Sequence, residues 1–114
     1  MTKLTRDAIL KASDIDQQEV DVPEWGGTVT IQGLTAKQRA KVLGAAVDRK
    51  SGSVDLEMLY LMLTVESVVD EEGKPVFTAG DIEALGKKSG AALDRIVKVA
   101  LNLSGMGEEV EKNS

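Results

Sequence analysis

Apolar residues are densest between Val54 and Val69. There Leu56, Met58, Leu59, Leu61, Met62, Leu63, Val65, Val68 and Val69 leave Glu57, Tyr60, Thr64 and Ser67 as a narrow polar stripe at steps of three and four, with Glu66 off it. A helix that is apolar nearly all round has neighbours on most sides. The stretch therefore reads as the central helix of the domain, with the rest of the chain packed against it. Ser53 is placed to cap it, and Asp55 and Glu57 suit the positive end of the helix dipole. Met58 and Met62 are adaptable side chains that suit a partner surface if one face stays open.

Two other stretches alternate polar and apolar residues, the period of a half-buried strand: Glu19–Val22 and Thr28–Ile31. Between them, Pro23-Glu-Trp-Gly-Gly27 is turn chemistry. The pattern predicts a β-hairpin over about residues 18–32, with Val20, Val22, Val29 and Ile31 on one face and Trp25 at the tip. A lone hairpin is marginal in water, so that face must lie on helices or on a partner. Trp25 is either a lid over the core or an anchor for binding.

The remaining pattern is helical. Thr5 caps a short segment to Ala12, whose Leu4, Ala8, Ile9 and Ala12 form a small apolar face that must dock to be stable. After Gly33 ends the second strand, Thr35-Ala-Lys-Gln38 is a capping box. The helix it opens carries Ala36, Ala40, Leu43 and Val47 as its expected buried stripe, with Lys37, Arg39, Lys41, Arg49 and Lys50 outward. Val68-Val69 and Val76-Phe77 flank a polar turn, Asp70 to Pro75, and either pair briefly or tuck back on the core. A second capping box, Thr78 to Asp81, opens a helix through Ile82 and Leu85. Ser89 caps the last helix, whose core positions are Leu93, Ile96, Val97, Ala100 and Leu101, and Gly105 ends it. The expected fold is mostly α (α+β): four to five helices around a central apolar helix, with one N-terminal β-hairpin. Residues 1–106 form a single domain in this reading, and 107–114 a disordered tail.

Charge and composition narrow the function classes. The 114 residues carry a net charge of −5, and Trp25, Tyr60 and Phe77 are the only aromatics. Both facts disfavour nucleic acid, which is held by clustered cations and stacked on aromatic platforms. The stretch Thr78–Val99 can be drawn as a helix-turn-helix, but its would-be recognition helix opens Ser-Gly-Ala-Ala-Leu and offers little to a base edge. Without cysteine or histidine, the usual thiolate, general base and soft metal ligands are missing. Asp14, Asp16, Glu19, Asp21 and Glu24 form an acidic run, yet no calcium-loop spacing follows. No catalytic residue, cofactor or metal is expected. The first residues hold no apolar run of signal-peptide length and no stretch approaches a membrane span, so the expected location is the host cytoplasm, with no membrane partner.

Three segments together carry a resemblance: Leu4-Thr-Arg-Asp-Ala-Ile-Leu, Glu19-Val-Asp-Val-Pro-Glu-Trp-Gly-Gly-Thr-Val, and Leu34-Thr-Ala-Lys-Gln-Arg. Their order, with Asp70-Glu-Glu-Gly-Lys-Pro-Val-Phe-Thr and the closing Leu-Asn-Leu-Ser-Gly105, resembles the tail assembly chaperones of long-tailed bacteriophages and prophages. The resemblance implies a binding protein without catalysis. Such a protein keeps the tape measure protein and the tail tube protein soluble before the tail polymerises, and is not expected in the mature virion. The competing readings are a structural phage component, such as a head–tail joining or tail-terminus protein, and a helix-turn-helix regulator. From charge and expected exposure, the partner-binding candidates are Val22, Pro23 and Trp25 on the hairpin and Arg39 and Lys41 on the basic helix.

Overall fold

The computed structural model describes residues 2–106. In chain order they form α1 (Arg6–Lys11), β1 (Gln17–Val22), β2 (Gly27–Gln32), α2 (Ala36–Ala46), α3 (Leu56–Ser67), β3 (Val68–Val69), α4 (Ile82–Leu85) and α5 (Gly90–Leu103). Single 3-10 turns, Pro23–Trp25 and Ala79–Asp81, join β1 to β2 and lead into α4. The class is α+β, as the sequence pattern predicts. The C-terminal segment 107–114, expected to be a disordered tail, lies outside the described residues.

Local chemistry explains most element boundaries. At the start of α2 the capping box is complete, with Gln38 N–H donating to Thr35 Oγ1 at 3.1 Å and Thr35 N–H to Gln38 Oε1 at 3.0 Å. Ser89 Oγ accepts from Ala92 N–H to start α5. At the other end of α5, Gly105 takes φ +70°. Its N–H reaches Asn102 O, and Met106 N–H reaches Leu101 O at 2.8 Å. This pair of bonds is a Schellman close, and it folds Met106 back into the core beside Leu101. The α3 helix begins two residues later than the apolar run suggests. Asp55, not Ser53, supplies the cap, accepting from Met58 N–H, while Val54 is held outside the helix by a bridge to Val47.

The apolar run also ends early as a helix. Val68 and Val69 turn into a strand that pairs with β2, with Ile31 opposite Val68 and Thr30 opposite Val69. The hairpin is thus part of a three-stranded antiparallel sheet, ordered β1-β2-β3. A second connection extends the same region, because Val69 bridges Pro75 and Val76 N–H donates to Val68 O.

Two helices share the centre. The five predicted core positions of α5 are all buried, and all but Leu93 divide between two clusters. Val97 and Leu101 join Val42, Ala46, Leu59, Met62 and Leu63 between α2, α3 and α5. Ala92, Ile96 and Ala100 take the sheet, meeting Val20, Val22, Ile31 and Val68. The apolar hairpin face therefore lies on α5. The expectation that everything packs on α3 is corrected: α5 is the element between sheet and helices. A third cluster, Leu61, Val65 and Leu85, seats α4 on α3.

The polar stripe of α3 is exposed at Glu57, half-buried at Tyr60 and turns fully inward further along the helix. Thr64 and Ser67 are fully buried; Thr64 Oγ1 donates to Tyr60 O at 3.0 Å, and Ser67 Oγ has no hydrogen-bond partner. On α2 the buried positions are Val42 and Ala46, whereas Ala36, Ala40 and Leu43, expected in the buried stripe, are exposed. The helix is turned because Gln38 serves as a tether: its Nε2 donates to Glu66 O at 3.1 Å, which draws the 38/42/46 face onto α3.

Candidate functional site

An open cleft beside β1 and β2 is lined by Gln17, Gln18, Glu19, Thr30, Asp70 and Glu71, and among the described residues no His, Cys, Asp and Glu side chains group to hold a metal ion. Among the described residues no helix is long and apolar enough to cross a membrane. Three other surface regions compete as the candidate site.

The first is the end of the hairpin. Val22 precedes a 3-10 turn made by Pro23, Glu24 and Trp25, and Gly26 closes the turn at φ +77°. Glu24 projects back onto α5, where Arg95 grips it with two parallel hydrogen bonds, Nη1 to Oε1 at 2.8 Å and Nη2 to Oε2. Arg95 also reaches Asp21 O. The guanidinium beside Glu24 holds its carboxyl below the usual carboxylate range, aided by its own backbone amide. Trp25 is half-buried against the sheet–α5 cluster. Its buried part covers that cluster as a lid would, and the rest of the ring stays at the surface. Val22 has 0 % of its surface exposed, so as a contact residue it is corrected to a core residue, carried inward by strand alternation. Pro23 is exposed.

The second is the outward face of α2. Lys41 is exposed and pairs with Glu66 at 3.3 Å; Arg39 is half-buried and engaged. This face sits over α3, while the hairpin end sits over α5, so the two sets of predicted contact residues belong to different layers. Of the hairpin's acids, Glu24 finds its partner in Arg95, a residue that charge patterning around α2 had not pointed to. Tyr60 donates from its hydroxyl to Asp94 at 3.2 Å, and burial, with the nearby Asp94 carboxylate, pushes its phenol up from the ordinary value.

The third region went unselected in the sequence. Helix α1 contains no buried residue. Leu4, Ile9 and Leu10 are 65 %, 54 % and 67 % exposed, and Ile15 in the following linker is also exposed. The short helix needs something to dock on, and no other described residue buries any of its side chains. Further exposed apolar side chains are Leu43 in the second half of α2 and Val54 and Leu56 at the start of α3.

The helix-turn-helix reading fails on geometry. Its second helix is α5, whose Ala92, Leu93, Ile96 and Val97 are buried in the core, and its first is the single turn of α4. A family model of phage tail assembly chaperones matches residues 4–113. The chain belongs to that family. Among solved structures, the tail assembly chaperone of bacteriophage HK97 has a similar fold, with a TM-score of 0.60 and 22 % identity over 82 % of this chain and 85 % of that one. Comparison with curated proteins gave no match. As a tail assembly chaperone, the protein has a role in the assembly of phage tails.

Proposed function

We propose that this chaperone binds the tape measure protein, the tail tube protein or both, and holds them soluble in the host cytoplasm until the tail polymerises. The observation that carries the reading is the family match over residues 4–113, nearly the whole chain. The physical case is supportive. Apolar side chains exposed on α2, at the start of α3 and along the N-terminal segment supply contact area for an aggregation-prone client. The net charge of −5 keeps a client complex soluble by repulsion between complexes. The hairpin's apolar face is spent on α5, so client contact falls to Pro23, the rim of Trp25, the Lys41 face and the exposed apolar groups. Binding here is without catalysis, and it is reversible, since growth of the tube must displace the chaperone.

Co-expression with the tape measure protein of the same phage tests this directly. Soluble tape measure yield should rise with the chaperone present and fall to the aggregated fraction without it. An unchanged yield refutes the function. Abundant chaperone in purified virions would instead favour a structural component.

A further inference from the structure

The N-terminal segment is the anomaly of the fold. Among the described residues, four of the eight large exposed hydrophobic side chains, Leu4, Ile9, Leu10 and Ile15, lie within the first fifteen positions. A six-residue helix is unstable alone in water, and this one gains nothing from the domain, because none of its residues is buried. Thr5 nonetheless caps it, accepting from Ala8 N–H at 3.2 Å, so the local code for a helix is present without the packing that would sustain it. Residues 12–16 join it to β1 as an irregular linker, long enough to span at most roughly 17 Å.

We propose that residues 4–11 are a tethered client-binding arm, and that their occupant is a helix of the client bearing an apolar stripe edged with carboxylates. This rests on the chaperone function proposed above and names the surface and the partner chemistry for it. Charge is the first argument. In a chain of net charge −5, the arm carries Arg6 and Lys11 against the single anion Asp7, which Arg6 pairs at 3.1 Å, and Lys3 stands just ahead of it. Helical spacing is the second. Ile9 and Leu10 stand about 100° apart, and Arg6, one turn earlier, projects between them, so two apolar side chains and a cation share one face. That face complements an apolar stripe with an acid one turn along it, the helix-in-groove arrangement on a small scale.

Area is the third argument, and it selects the client over a second copy of this chain. The arm offers three or four apolar side chains on a turn and a half of helix. That is well short of the roughly 1,200 Å² at which specific interfaces become stable on their own. Such a contact is too small to hold a dimer. It suits a weak, fast-releasing grip added to contacts elsewhere on the same client, where tethering raises the local concentration of the arm.

The test uses the full chain co-expressed with the tape measure protein. Ile9→Ser/Leu10→Ser should lower co-purified tape measure at least tenfold while the melting temperature of the chaperone stays unchanged. Capture by wild type and by the variant alike overturns the arm and leaves the chaperone function standing. Absence of capture by wild type overturns both. A lowered melting temperature in the variant also overturns the arm, since it shows those side chains docked on the domain. A photo-crosslinking residue at position 9 should give adducts with the tape measure protein; adducts between chaperone copies instead would assign the arm to self-association and refute the proposal. Lys3→Glu/Lys11→Glu should weaken capture at low salt, and unaltered capture would refute the acidic edge of the partner.

Discussion

Gly33 provides the sharpest test of how the sheet is seated on the helices. It ends β2, is buried, and lies so close to the last turn of α5 that a Cβ built on it would stand 2.9 Å from Leu103 O and 3.3 Å from the carbonyl carbon. Both atoms are backbone, so no rotamer change relieves the contact; the strand exit or the helix end has to move. Either movement disturbs the next residue, whose N–H donates to Ser104 Oγ at 2.9 Å and locks the same two elements together. Overpacking of this kind costs about 1–3 kcal/mol. Reduced freedom in the unfolded chain returns about 0.4–1 kcal/mol for any Gly→Ala change. Gly33→Ala should therefore destabilise by about 1–2 kcal/mol, lowering the melting temperature by about 4–8 °C for each kcal/mol in a domain near this size. Gly44→Ala is the matched control. Gly44 is exposed inside α2, and a Cβ there meets nothing within 4 Å, so the same chemical change should stabilise by about 0.5–1 kcal/mol. Urea titration followed by Trp25 fluorescence measures both, and the midpoint should shift without change in slope. A Gly33→Ala protein as stable as wild type would refute the close approach of strand and helix; a destabilised Gly44→Ala would refute the helix-propensity half of the reasoning.

Three further outcomes are expected. Because the Arg95 guanidinium lowers the Glu24 carboxyl below its unfolded value, the pair adds stability above about pH 4.5 that disappears as pH falls through the lowered value; Glu24→Gln should be less stable than wild type at pH 7, with the gap in urea midpoint closing toward pH 3. Ser67→Ala removes a buried hydroxyl that has no partner, so its urea midpoint should match or exceed that of wild type, by up to about 1 kcal/mol, and a clear loss would mean the hydroxyl is satisfied. Tyr60 is the only tyrosine, so absorbance at alkaline pH follows it alone and should show ionisation above the usual pH 10. With a raised folded value, the corresponding stability is intact below the unfolded value and fades as pH rises through the folded one, a fade that Tyr60→Phe should abolish.

Local code was readable wherever one short segment decides its own shape. The Thr35–Gln38 and Thr78–Asp81 boxes, Ser89 as a cap, the Gly105 close and the alternating strands all act within a few residues, so residue types at fixed spacing specify them. The five core positions of α5 were legible for the same reason, because a strong 3.6-residue period survives any packing partner. Which partner each face meets was not. Val68 and Val69 continue the apolar run of α3 in sequence, yet β2 offers them an unpaired edge, and that edge belongs to a segment some forty residues away. The α2 stripe was misplaced by about one residue of rotation, since Gln38 binds the backbone of Glu66, a contact invisible from the helix alone. Val22 passed for a surface residue and Arg95 went unremarked, because burial and the Glu24 clasp exist only once β1 lies on α5. The family, and with it the chaperone role, was carried by residue order along the chain. The exposure of Leu4, Ile9 and Leu10 was decided by the tertiary structure, which completes its core without them.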